Sequence, residues 1–211
     1  MPTFRQPFEP DRYYHVFNHA VGRESLFIEE RNYGYFLARW FKYIAPVADT
    51  LAYCLMPNHF HFLIFLRSDF TTTTNPKGFQ NLSGLTDLDK YSNYISHCLG
   101  NAQNAYTKAY NKTYKRRGSL FCQSVHRRQV ADEDYLRKLI PYIHCNPVAH
   151  GFTRNAAGWE QSSFQDYLNG DSSQVDIGTG LLFYSDREHF DAMHSLGIFM
   201  QYNPAQDIPL S

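Results

Sequence analysis

The chain has 211 residues, 43% of them hydrophobic and 17% aromatic, enough for one domain with a sizeable core. Its 20 basic and 20 acidic residues cancel, so net charge alone argues neither for nor against a nucleic-acid partner. No run of about 18 apolar residues occurs, so no membrane-spanning helix is expected, and MPTFRQPFEPDRYY lacks the basic-then-apolar order of a secretory signal.

Four cysteines, Cys54, Cys98, Cys122 and Cys145, have no CxxC pairing or regular spacing. They read as reduced thiols of a cytoplasmic protein rather than a disulfide frame or a zinc cluster. The charge is unevenly spread. Between Tyr91 and Ala131 there is no acid, while Lys108, Lys112, Lys115, Arg116, Arg117, Arg127 and Arg128 are basic. From Gly151 onward eight acids face only Arg154 and Arg187. That asymmetry suits a polyanion-binding face with an acidic tail, and equally a solvated helix end.

In chain order, YYHVFNHA (13–20) alternates as a strand that Gly22 ends. Phe36, Leu37, Trp40, Phe41 and Ile44 recur at helical spacing, and Pro46 closes that helix. DTLAYCLM (49–56) and HFHFLIFL (59–66) are two strands joined at Pro57-Asn58. A long Thr-rich loop follows. Tyr91, Ile95, Cys98, Leu99, Ala102, Tyr106 and Tyr110 trace one face of a long helix. After Gly118, SLFCQSVHRRQV (119–130) reads as a strand. Asp132 is a good N-cap for a further helix, predicted to end at Asn146 because the residue before Pro147 is pushed out of the helical region. The order predicts an α+β fold: a single antiparallel sheet with helices packed on one face.

His59 and His61 lie two apart in a strand and so project together, while Phe60, Phe62, Ile64 and Leu66 point the other way. That apolar set is read as facing a core or an interface, and as an outer face it is open to a partner copy in a homodimer or to cover by the tail. Two adjacent imidazoles can ligate one divalent metal. In LIPYIHCNPVAHGF, Tyr142 and Asn146 are one helical turn apart on one face, so a phenol sits beside an amide oxygen that can ligate a hard cation. His144 lies on the far side of that helix. Phenol, amide and two imidazoles are the parts for metal-assisted attack on a phosphodiester.

MPNHFHFLI resembles the His-hydrophobic-His motif of single-strand HUH endonucleases, and YIHCNPVAHGF resembles the tyrosine segment of the REP-associated branch of single-tyrosine transposases. YYHVFNHAVGRESLF, YNKTYKRRGSLFCQSVHRRQV and WEQSSFQDYL are similar to that family in type and order, so the resemblance spans about residues 13–168. It implies an HUH-type, ferredoxin-like or RRM-like domain over 1–168, followed by an acidic extension over 169–211. It further implies Tyr142 as nucleophile, and His59, His61 and Asn146 as ligands to Mg²⁺ or Mn²⁺. The implied substrate is single-stranded or hairpin DNA, with Lys112, Lys115, Arg116, Arg117, Arg127 and Arg128 on phosphates. The sequence departs from the family at His19, where many relatives carry Arg, and at Pro141, which is able to re-aim Tyr142. Three alternatives remain. A domesticated hairpin-binding protein without chemistry is one. A histidine-based nucleotide hydrolase is disfavoured by Leu63 and Phe65, and a replication initiator or relaxase by the absence of a helicase-type segment.

Overall fold

The computed structural model describes residues 6–69, 86–122 and 125–195. The Thr-rich loop and the end of the acidic extension lie outside the described residues. Four strands, β1 (Arg12–His19), β2 (Ala48–Met56), β3 (His59–Leu66) and β4 (His126–Val130), form an antiparallel sheet in the order β2-β3-β1-β4. β2 and β3 form the hairpin expected at Pro57-Asn58, with one irregularity between Thr50 and Ala52. Helix α1 (Glu30–Ile44) crosses from β1 to β2, and α2 (Asp87–Thr113) crosses from β3 to β4. The predicted strand over 119–130 is shorter than expected: Phe121 makes an isolated bridge to Ala20 before β4 begins at His126.

The α+β class and the antiparallel sheet are as the sequence indicates, but helices cover both faces. On one, Phe60, Phe62, Ile64 and Leu66 of β3 and Tyr14 and Val16 of β1 meet Phe36 and Trp40 of α1 and Ile95, Leu99 and Tyr106 of α2. The indole of Trp40 stacks on Phe62 at 3.6 Å. Of the alternatives for this apolar face the core is the one realised, under α1 and α2 rather than under the tail, so the face offers a dimer partner nothing. The reason is local: each crossover helix carries an apolar stripe that is stable only against this face.

On the other face, Leu51, Cys54 and Leu63 pack against Leu139, Ile140 and Ile143 of α3 (Glu133–Ala149). A 3₁₀ turn (Ala156–Gly158) and three short helices, α4 (Phe164–Asn169), α5 (Ile177–Leu181) and α6 (Arg187–Ser195), complete this layer. The described part of the acidic extension belongs to the same cluster, through Val175, Ile177, Phe183, Tyr184, Phe190 and Met193. Residues 161–163, and Asp176 of the extension, cover the β2 edge. The amides of Ser163 and Asp176 donate to the Tyr53 and Thr50 carbonyls at 3.0 and 2.8 Å, and the Leu55 amide donates to the Gln161 carbonyl at 2.9 Å. Paired edge groups of this kind leave no template for another strand.

Candidate active site between β3 and α3

Strand alternation puts His59 and His61 of β3 on the α3 side of the sheet, together with His15 and Phe17 of β1. Asp132 caps α3, its carboxylate accepting from the Asp134 amide at 3.0 Å. The helix does not end at Asn146 as predicted. It runs through both Pro141 and Pro147 to Ala149, because the packing of one face outweighs the amides that the prolines lack. Pro141 has no N–H for the Arg137 carbonyl one turn back. The Tyr184 hydroxyl donates to that carbonyl instead, at 2.9 Å, and the Arg137 guanidinium donates to the Phe183 carbonyl at 2.7 Å. The segment after α5 thus braces the turn that presents Tyr142.

With α3 held this way, Tyr142 faces the sheet and is only 3% exposed. Its ring centroid lies 5.6 Å from that of His61 and 6.1 Å from that of His15. One turn along, Asn146 Oδ1 is 2.9 Å from His59 Nε2, while Nδ1 of His59 is 2.8 Å from Asn58 Oδ1. The rings of His59 and His61 are 5.2 Å apart and nearly perpendicular. The four residues singled out from the sequence as nucleophile and ligands are brought together by β3 and α3.

Burial dominates the electrostatics. His61 is wholly buried, and its basicity is pushed well below the ordinary imidazole range, first by desolvation and then by His15 and His59. His59 is pushed down to about 4 by burial, which the contact with Asn146 partly offsets. Both rings are thus neutral at pH 7, the state in which an imidazole nitrogen can ligate a metal.

Do these residues fit a divalent ion? Nε2 of His61 is buried with no hydrogen-bond partner among the described residues. Neighbouring ligands on an octahedral ion with bonds of about 2.1 Å lie about 3 Å apart, so the 2.9 Å between His59 Nε2 and Asn146 Oδ1 is a spacing that an ion preserves. Two imidazole nitrogens and one amide oxygen suit Mn²⁺ better than Mg²⁺, which favours all-oxygen sites. Among the described residues no group of three or more His, Cys, Asp or Glu side chains is placed to hold a metal, so the amide is essential to the set.

No family model matches the sequence, and no curated protein matches it. A solved REP-associated tyrosine transposase bound to a REP hairpin is similar, with a TM-score of 0.58 and 16% identity over 83% of this chain and 98% of that one. The likeness is one of fold. A bacterial tRNA(His) guanylyltransferase (Thg1)-like protein in complex with GTP reaches a TM-score of 0.36 at 8% identity, over 70% of this chain and 71% of that one, too low to imply a common arrangement.

The six basic residues expected on DNA do not form one stripe. Lys112, Lys115 and Arg117 are exposed at the C-terminal end of α2. Tyr106 and Tyr110 near that end donate to the Leu26 and Ser25 carbonyls, and the Leu26 amide donates to the Pro57 carbonyl at the turn leading into His59. Arg116 is engaged inside the protein: it donates to Glu24, Asn111 and the Ser119 carbonyl. Arg127 and Arg128 lie on opposite faces of β4, paired with Val16 and His15 respectively. Arg127 donates to the Gln6 carbonyl and lies over the Phe8 ring, on the face away from His59. Arg128 is exposed on the α3 side, over Tyr135.

Two neighbours escaped the sequence reading. His15 is completely buried against His61, and His150, at the end of α3, has its ring 5.2 Å from His59. A strand alternation drawn from Tyr13 would have put His15 on the His59 side, but only once the β1–β3 pairing was known. His19, the departure from the family pattern, is the cross-strand partner of His59 and contacts Cys122 Sγ at 3.3 Å. Pro141, the other departure, leaves Tyr142 turned to the histidines. His144 points away from them, toward His194 and Ser163 at 2.9 Å each.

Proposed function

We propose that this protein is a transposase-type nuclease that cuts and rejoins single-stranded DNA beside a hairpin, with Tyr142 as nucleophile. The observation that carries this reading is the meeting of Tyr142 and Asn146 on one helix with His59 and His61 on one strand. In the first step the Tyr142 oxygen bonds to phosphorus and gives up its proton. The bond from phosphorus to the 3′ oxygen breaks, and that oxygen leaves as a hydroxyl. The 5′ phosphate stays on the tyrosine, so a second 3′-hydroxyl is able to reverse the step without ATP. His59, His61 and Asn146 would hold Mn²⁺ or Mg²⁺, which when bound offsets the charge developing on the phosphoryl oxygens. Lys112, Lys115, Arg117 and Arg128 contact DNA phosphates, and Arg116 and Arg127 hold the fold. The solved neighbour's REP hairpin supports a hairpin as the first substrate to try.

The burial of the site favours a second reading, a hairpin-binding protein that has lost its chemistry. A denaturing gel separates the two. Labelled hairpins with single-stranded flanks, taken from DNA bordering the gene, are incubated with protein and Mn²⁺. A protease-sensitive adduct that needs metal and disappears in Tyr142→Phe supports the nuclease. An adduct that survives Tyr142→Phe removes Tyr142 from the role. Tight binding without any adduct leaves the binding protein.

A further inference from the structure

His15 has no part in the chemistry above, yet it makes the closest polar contact to His61. Its Nε2 lies 2.9 Å from His61 Nδ1, with the rings stacked at 5.1 Å and 23°. In the sheet His15 is paired with Leu63, so it reaches His61 diagonally, across one step of the ladder. Both side chains are 0% exposed.

Two neutral imidazoles in contact share one N–H, and it can sit in either of two ways. If His15 Nε2 carries it, His61 must hold its own proton on Nε2, and that nitrogen can ligate nothing. If His61 Nδ1 carries it, His61 Nε2 keeps its lone pair and His15 is protonated on Nδ1. The remaining two nitrogens, His61 Nε2 and His15 Nδ1, are both buried without hydrogen-bond partners among the described residues. The contact therefore fixes the His61 ring and leaves Nε2 as the nitrogen with nothing to do inside the protein.

We propose that His15 is a positioning residue: it accepts the Nδ1–H of His61, selects that tautomer and directs the Nε2 lone pair to the divalent cation. This rests on the metal-binding reading of His59, His61 and Asn146. A hydrogen-bonded partner behind a histidine ligand commonly changes metal affinity by about 10- to 100-fold. Asn146 is the ligand one turn beyond the nucleophile, so the role of His15 is to keep the third donor, His61, in a usable form.

The test is Mn²⁺ titration of the metal-free protein, followed by the paramagnetism of free Mn²⁺, for wild type, His15→Phe, His15→Gln and His61→Ala. Binding about 10- to 100-fold weaker in His15→Phe, restored in His15→Gln, whose side-chain oxygen can accept the same N–H, supports the proposal. Wild-type affinity in His15→Phe together with loss in His61→Ala overturns it and leaves the metal reading standing. No Mn²⁺ binding by wild type overturns both. ¹⁵N NMR of the metal-free wild type gives an answer even if His15→Phe does not fold: protonation of His61 at Nδ1 supports the proposal, and protonation at Nε2 overturns it.

Discussion

β3 builds two unlike surfaces from alternate residues. Phe60, Phe62, Ile64 and Leu66 enter an apolar, aromatic layer under α1 and α2, where ring packs on ring and the Trp40 indole N–H donates to Thr50 Oγ1 at 3.3 Å. His59 and His61 enter the layer under α3, where imidazoles meet an amide, a phenol and another imidazole. Both sets are buried almost completely. The first stabilises the sheet by removing apolar area from water. The second costs stability, because buried polar atoms give up hydration and some of them find no partner. One strand thus separates an apolar face that holds the fold from a polar face on which the proposed chemistry rests.

The largest expected effect comes from the aromatic side. Trp40→Ala removes the indole stacked on Phe62 and should cost about 3–5 kcal/mol in denaturant unfolding, with the tautomer of His61 unchanged in whatever remains folded. An equal loss of stability on truncating a histidine of the other face would break the comparison.

Acid should act through the α3 side. In the folded chain burial pushes His15 down to about 3 and His59 to about 4, against 6.5 as the ordinary value. The unfolded chain takes up these protons first, so metal-free stability is complete above about pH 7 and falls as pH drops below 6.5. Each histidine should cost about 2 kcal/mol between pH 7 and pH 5. Unfolding curves across that window check this, and His15→Phe should flatten them.

Tyr184→Phe removes the donor that replaces the amide missing at Pro141. It should destabilise the chain by about 1 kcal/mol and loosen α3 rather than α1 or α2, which amide exchange resolved by residue would reveal. The smallest effect belongs to the adjacent arginines of β4. Arg128→Ala should reduce the salt dependence of hairpin binding by about one unit of slope, and Arg127→Ala should leave the slope unchanged. Equal slopes would mean that the sheet's two faces do not differ toward DNA.

Much of this was legible in the sequence where the signal is local. The β2–β3 hairpin follows from its tight turn, and the Asp132 cap, the His59–His61 parity and the Tyr142–Asn146 spacing each involve neighbours within one turn or one pleat. What was missed depends on contacts between distant segments. Pro147 is a good local stop, but it is overruled by the burial of α3 on the sheet. The residues after Leu168 have weak periodicity of their own, yet the Asp176 amide pairs with the β2 edge at Thr50 and Tyr184 braces the turn at Pro141. His15 could be placed on the histidine face only after β1 was paired with β3.

The two idle nitrogens, His61 Nε2 and His15 Nδ1, have a consequence for how such a chain ages under mutation. Replacing His61 alone strands His15 Nε2 as well, so it is the paired change of His15 and His61 to apolar residues that removes every unpartnered atom and should raise the stability of the metal-free protein. Substitution toward an apolar interior is therefore downhill here when both rings go together. Were the proposed chemistry to fall out of use, the two rings would be lost together and the fold would outlast them.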